Sequence, residues 1–276
     1  MKRNFISFAL LLLWPLLFSA QTPSKETLVI ETVYGKMKIK LFEETPLHKA
    51  NFLKLVKEGV FDSLLFHRVI NQFMIQGGDP LSKSAKPGDS LGHGDLGYTV
   101  PAEFNEKLIH KKGRLCAARE SDPINPMMAS SASQFYLVMG RKRTPEELKK
   151  YEERINKARY VRCARVFLSS PDGMELKQKY NTYKSLSQPD SAAFVNSQIE
   201  ANVKAEYAKQ EEYKFSAYQT EVYTSVGGTP HLDGTYTVFG EVVEGVELID
   251  AIATVKTDKR DRPLEDIRMK IYLLNE

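Results

Sequence analysis

Past its first two dozen residues the chain opens on two short segments in which apolar and polar positions alternate. Residues 28–33 run into Tyr34-Gly35. In 36–42 that follow, Met37, Ile39 and Leu41 share one face, and Lys36, Lys38 and Lys40 the other. A period of two predicts half-buried strands, with Gly35 supplying the turn. Thr45 then caps a helix begun by Pro46, with Phe52, Leu53, Leu55 and Val56 as its apolar face and Gly59 as its stop. Short strands return at 64–70 and 73–76, around Asn71-Gln72, and again at 115–119 and 134–139. Residues 80–98, rich in Gly, Ser, Pro and Asp, read as an irregular loop. Many short strands with few helices predict a closed all-β barrel or a sandwich.

The texture then changes. Thr144-Pro145-Glu146-Glu147 carries a capping residue and first-turn acids, the start of a helix. Residues 146–160, 172–186 and about 190–218 are rich in Glu, Lys, Gln, Ala and Tyr, with little Gly or Pro inside, and predict helices. Strand texture resumes at 236–243, a helix is expected at 247–253, and 268–274 alternates again. The pattern divides the chain into a β domain of 25–140 and 219–276 and an inserted helical segment, 141–218, placed at a loop, where insertions are best tolerated. No internal repeat is evident.

Charge sharpens that division. The 276 residues carry a net +4, too little to argue for a nucleic-acid partner. Residues 141–218 hold 16 Lys and Arg against 11 Asp and Glu, whereas the rest holds 23 against 24. The basic character belongs to the insertion. Seven of the 13 tyrosines also lie there, which makes it a candidate surface for a protein partner as well as a solvated bundle. At the N-terminus, Lys2 and Arg3 precede an apolar run over 6–18 broken by Ser7 and Pro15, and Ala20 is a small residue at a cleavage point. Residues 1–20 therefore read as a signal peptide, with a secreted or periplasmic destination. An uncleaved N-terminal anchor is the alternative. No other segment is long and apolar enough to span a membrane. Cys116 sits in an apolar run that suits a buried thiol, and its pairing with Cys163 stays open. No metal or other cofactor is expected, because no Cys/His/Asp set has ligand spacing and the glycines at 88, 92, 94 and 97 lead into no phosphate loop.

Three stretches carry candidate chemistry. The first is Phe66-His67-Arg68-Val69-Ile70-Asn71-Gln72-Phe73-Met74-Ile75-Gln76-Gly77-Gly78-Asp79. An arginine inside an apolar strand is costly unless its guanidinium emerges or meets an acceptor. A hairpin here would set one fixed cation beside an apolar floor and an amide. The second is residues 129–138, where Gln134 and Tyr136 share one face and Phe135 and Leu137 the other. The third is Gly227-Gly228-Thr229-Pro230-His231-Leu232-Asp233-Gly234-Thr235-Tyr236 and its continuation to Gly240.

Together these stretches resemble the cyclophilin family of peptidyl-prolyl cis-trans isomerases over roughly 27–140 and 222–274. The resemblance implies a mainly β fold: a closed eight-stranded antiparallel barrel capped by two helices, here with an inserted helical segment. It implies an active groove on the barrel's outer face. Arg68 matches the catalytic arginine. Phe73, Met74, Tyr136 and Leu232 match the walls of the proline pocket, and Gln76 and Gln134 the groups that hold the substrate backbone. His67, His231 and Tyr236 match flanking positions, and Ala118 and Arg119 the strand beside which the peptide lies. The implied partners are proline-containing polypeptides, including unfolded exported proteins. Three positions depart from better-known eukaryotic members. His231 replaces a tryptophan that contacts the inhibitor cyclosporin, Tyr136 a phenylalanine and Arg119 an asparagine. A peptide-binding or chaperone module with incidental isomerase activity, its specificity supplied by the insertion, is the alternative reading.

Overall fold

A computed structural model describes residues 27–274. The expected signal peptide lies outside the described residues. Eight strands form one antiparallel sheet: β1 (Thr27–Thr32), β2 (Gly35–Leu41), β3 (Phe66–Ile70), β4 (Met74–Gly77), β6 (Arg114–Ala117), β8 (Phe135–Val138), β9 (Val238–Glu244) and β10 (Lys270–Leu273). Their spatial order is β10-β1-β2-β9-β6-β8-β4-β3. Two short strands, β5 (Thr99–Val100) and β7 (Ser130–Ser131), pair beside it.

The expected closed barrel is instead an open, curled sheet. Its edges, β3 and β10, share no ladder. They approach through a single bridge, Leu65 to Arg268, and through bonds such as Phe66 N to Ile267 O at 2.9 Å. The reason lies in the chain before β10. Asp261 has a left-handed φ of 64°, and Pro263 has no N–H to donate. This irregular stretch meets the β3 edge piecemeal, with Val69 N donating to Asp261 O at 2.8 Å. An exposed strand edge is thereby covered without a continuous pair.

The alternation read in β2 is present: Met37, Ile39 and Leu41 are buried, and Lys36 and Lys40 are exposed. The apolar face of α1 (Pro46–Lys57) joins the main core with Phe52, Leu53, Leu55 and Val56, as does that of α6 (Glu247–Ala253) with Ile249 and Ile252. Thr45 stands at the N-terminus of α1 but does not cap it with its side chain; its hydroxyl donates to Phe42 O. Glu103, far along the chain, does that work. Its carboxylate accepts from Leu47 N at 3.0 Å, from His48 N at 2.9 Å and from His48 Nδ1 at 2.6 Å.

Four helices follow β8: α2 (Pro145–Leu168), α3 (Pro171–Ser185), α4 (Pro189–Tyr207) and α5 (Ala217–Ser225). The first begins on a reciprocal capping box between Thr144 and Glu147. The single helix expected over about 190–218 is broken after Tyr207, and a second box, Ser216 with Gln219, starts α5. Helices α3 and α4 pack on each other and on α2. Helices α2 and α5 pack against the sheet domain, where Leu148, Val222 and Tyr223 form a small apolar core with Ile109. The chain leaves and re-enters the sheet domain at a tight crossing. Gly140 has φ 59°, and a Cβ there would fall 2.3 Å from Gly228 Cα. Any side chain at that point would push the two passes apart. Both cysteines are free thiols, Cys116 buried under the sheet's outer face and Cys163 on α2. Among the described residues, no helix is long and apolar enough to cross a membrane.

Candidate active site

The strand pairings build the site. Arg68 lies opposite Gln76, Gln76 opposite Tyr136, Tyr136 opposite Cys116, and Cys116 opposite Val238. These five residues form one row across β3, β4, β8, β6 and β9. The neighbouring row, Val69, Ile75, Leu137, Leu115 and Gly240, faces the other way, and its first four members lie in the main core. A period of two thus separates groove from core on every strand. A bulge between Phe66 and Arg68 keeps Phe66 in the core while Arg68 reaches the outer row.

That outer face carries its own apolar cluster of Met74, Cys116, Tyr136, Val138, Leu232 and Val238, with Phe73, Ala118 and Tyr236 against it. Over it opens a cavity of about 310 Å3. Ten of the sequence-derived site residues line it. His67, Arg68, Phe73, Met74 and Gln76 come from the β3–β4 hairpin; Ala118, Arg119, Tyr136, Leu232 and Tyr236 come from the other side.

Gln134 and His231 do not line it. Gln134 is buried, and its side chain is already committed: Oε1 accepts from Gln76 Nε2 at 3.1 Å, and Nε2 donates to Gly94 O at 2.8 Å and Gly92 O at 3.2 Å. It therefore orients Gln76 from behind the cavity. Arg68 Nη1 donates to Gln76 Oε1 at 3.4 Å, which extends the chain of bonds to the guanidinium. Gln76 thus uses one amide hydrogen internally and keeps a second for the cavity. His231 stacks with the rings of Phe73, at 5.7 Å, and of Tyr151 on α2, at 5.6 Å.

Sequence reasoning did not reach six lining residues: Asp89, Ser90, Leu91 and Gly92 from the long loop, and Arg260 and Arg262 from the turn before β10. Only the folded chain brings those segments beside the hairpin. Asp261, from the same turn, stands 3.7 Å from Arg68 Nε. Both side chains are more than 40% exposed, so the pair is screened and weak.

Ionisation follows burial. Desolvation lowers the His67 imidazole to about 4, against an opposing pull from Asp79. Burial likewise lowers His231 to about 4, helped by His110, Arg154 and Arg143. The Tyr136 hydroxyl and the Cys116 thiol are both pushed far up by burial. The floor of the groove is therefore uncharged near neutral pH, and it holds no activated nucleophile. Arginine side chains do not titrate in this range. The chemistry available is a fixed cationic donor beside an apolar recess and an oriented amide.

Comparison with known proteins agrees with this architecture. Residues 27–193 and 207–272 match the family described as cyclophilin type peptidyl-prolyl cis-trans isomerase/CLD. The chain belongs to that family. It is an enzyme of the isomerase class, a peptidyl-prolyl cis-trans isomerase of the cyclophilin type. The match runs through much of the segment whose texture set it apart as an insertion, and lapses only at 194–206, inside α4. A protein of Streptococcus pyogenes serotype M6, named as a bifunctional phosphatase/peptidyl-prolyl cis-trans isomerase, is 29% identical over 244 residues. Those residues are 86% of this chain and 36% of the relative, so the chain spans about a third of that protein's length. A peptidyl-prolyl cis-trans isomerase by name from Staphylococcus haemolyticus is 27% identical over 86% of this chain and 85% of its own length. The fold is shared with a cyclophilin-type isomerase of Cryptosporidium parvum, crystallised in the presence of the dipeptide Ala-Pro. The TM-score is 0.50 at 19% identity, covering 91% of this chain and 100% of that one.

Proposed function

We propose that the groove isomerises X-Pro bonds in exported polypeptides, with Arg68 as the catalytic donor. Rotation about a peptide bond faces a barrier of ~18–20 kcal/mol set by amide resonance. An uncatalysed X-Pro bond takes tens to hundreds of seconds. No covalent intermediate is needed to speed it; the enzyme must bind the twisted amide better than the planar one. As the amide twists, its nitrogen regains a lone pair, and a donor aimed at that atom stabilises the twisted state alone. Arg68 is a permanent cation with five donors. One meets Gln76 and another faces Asp261, which leaves donors for the cavity. Phe73, Met74, Leu232 and the ring of Tyr136 offer the apolar recess for the proline ring. Gln76 is poised to hold a flanking carbonyl, so that rotation concentrates at one bond.

The observation that carries this reading is the outer-face row in which Arg68 and Gln76 stand side by side above an apolar cavity. The leader-like first 20 residues support exported polypeptides as the clients. The test is a protease-coupled isomerase assay on the mature protein with a short Xaa-Pro peptide, together with localisation of the protein by cell fractionation. Turnover indistinguishable from solvent would refute the groove assignment; a cytosolic protein would refute the choice of clients.

A further inference from the structure

The wall of the cavity that carries Leu232 is gripped from behind by the helical segment. Leu232 faces the cavity, and its two neighbours in sequence reach away from it. His231 is stacked flat on Tyr151 of α2, with ring centroids 5.6 Å apart and planes within 16°. It also stacks with Phe73, which lines the cavity, at 5.7 Å with planes 25° apart. Asp233 accepts from the Tyr223 hydroxyl at 2.6 Å and from Gln219 Nε2 at 3.3 Å, both on α5. Its other oxygen accepts from His110 N at 2.9 Å and lies 2.8 Å from His110 Nδ1. A carboxylate only accepts, so Nδ1 carries the hydrogen. In the neutral ring Nε2 is then an acceptor for the Tyr136 hydroxyl, 3.0 Å away. Tyr136, His110 and Tyr223 are all buried. A continuous polar chain therefore joins α5 to a ring that lines the groove. Helix α2 takes a third hold further along. Arg162 and Arg165 lie 3.6 and 3.8 Å from Asp122, which is bonded to Arg119 on the cavity rim. Burial opposes charge on Asp122, but the three arginines outweigh it, and its carboxyl lies below its ordinary value.

We propose that α2 and α5 position the proline pocket, with Tyr151 and Tyr223 as positioning residues that act through His231 and Asp233 on Leu232, Phe73 and Tyr136. This deepens the groove reading above and rests on it. Neither tyrosine lines the cavity, so neither is catalytic. Their effect is geometric. Without the Tyr151 ring, His231 loses one of its two stacking partners and is held less firmly against Phe73. Without the Tyr223 hydroxyl, Asp233 loses its shortest donor and the turn can settle elsewhere. Arg68 is untouched in either case. The change should therefore appear as weaker substrate binding with chemistry retained.

The experiment uses the mature full chain carrying Tyr151→Leu, Tyr223→Phe or Tyr151→Phe. It measures kcat and KM separately on a short unstructured Xaa-Pro peptide, at a temperature where melting curves show each variant folded. Tyr151→Leu and Tyr223→Phe should raise KM about tenfold with kcat within about twofold, the pattern of lost uniform binding. Tyr151→Phe keeps the ring and should restore the wild-type KM. An unchanged KM in folded Tyr151→Leu overturns the proposal, as does a raised KM that Tyr151→Phe fails to restore. Should Tyr223→Phe not fold, the Tyr151 pair decides alone. If wild type turns over the peptide while Tyr151→Leu matches it, only the positioning role falls. If wild type is inert, the groove reading falls and takes this proposal with it.

Discussion

Arg68 and Gln76 stand opposite one another on adjacent strands, and the guanidinium donates to Gln76 Oε1 at 3.4 Å. The amide is in turn fixed by buried Gln134. In the proposed mechanism this bonded chain would help to aim the guanidinium, as a preorganised donor lowers a barrier. Arg68→Ala should lower kcat/KM by about 2.7–4 kcal/mol, roughly two to three orders of magnitude, with little change in melting temperature. Arg68→Lys should recover little, because an ammonium lacks the planar fork. Wild-type turnover in folded Arg68→Ala would refute the mechanism.

Phe73 is half-buried and stacked against His231. Phe73→Ala should raise KM for Xaa-Pro peptides while costing less stability than the ~3–5 kcal/mol of a fully buried phenylalanine. Steady-state kinetics beside a denaturant titration checks both halves. A variant with unchanged KM would place the proline ring elsewhere.

Acid should destabilise the fold before it silences Arg68. His67 and His231 are held at about 4 by burial, below the value of about 6.5 for an open imidazole. Between about pH 6.5 and pH 4 the unfolded chain takes up protons that the folded chain refuses. This contribution is therefore whole above about pH 6.5 and is lost as pH falls toward 4. Each ring accounts for at most a few kcal/mol. Melting temperatures measured from pH 7.5 down to 4 should fall, and His231→Phe should flatten part of the slope. An identical slope in that variant would show that His231 is not the group responsible.

Glu103 accepts three hydrogen bonds at the start of α1. Glu103→Ala leaves those donors with water at best and should cost about 1–3 kcal/mol. For a domain of this size each kcal/mol shifts the melting point by roughly 2–4 °C. Calorimetry reads the shift directly, and no shift would mean that Thr45 or solvent replaces the cap without loss.

What the sequence disclosed follows from the reach of each signal. The face assignment of Gln134–Tyr136 against Phe135–Leu137 rests on strand periodicity, and the pairings place Tyr136 in the groove row and Leu137 in the core row. The β3–β4 hairpin was legible for the same reason. Glu103 was not, because it acts on a helix whose capped amides lie 55 and 56 residues earlier. Arg260, Asp261 and Arg262 sit in a turn whose own pattern says only that it is polar; the fold carries it to Arg68. The open sheet edge escaped notice because closure depends on how one irregular stretch lies against β3, and local propensity does not encode that. The sharp change of texture at 141 marked where helices begin. It did not reveal that Leu148 and Tyr223 share a core with Ile109.

The crossing of Gly140 and Gly228 gives this enzyme a stem. Everything between residues 141 and 227 grows from two strands of chain that already touch. Lengthening or trimming the outer end of that growth changes closure entropy slowly, by about 0.6 kcal/mol for each doubling of length. The eight-stranded sheet below need not alter its register. The family match lapses at 194–206, inside α4, far along the branch from the stem. A change of length at that tip would leave the stem's closure in place, whereas Val195 and Val203, buried within that stretch, would have to be repacked with it.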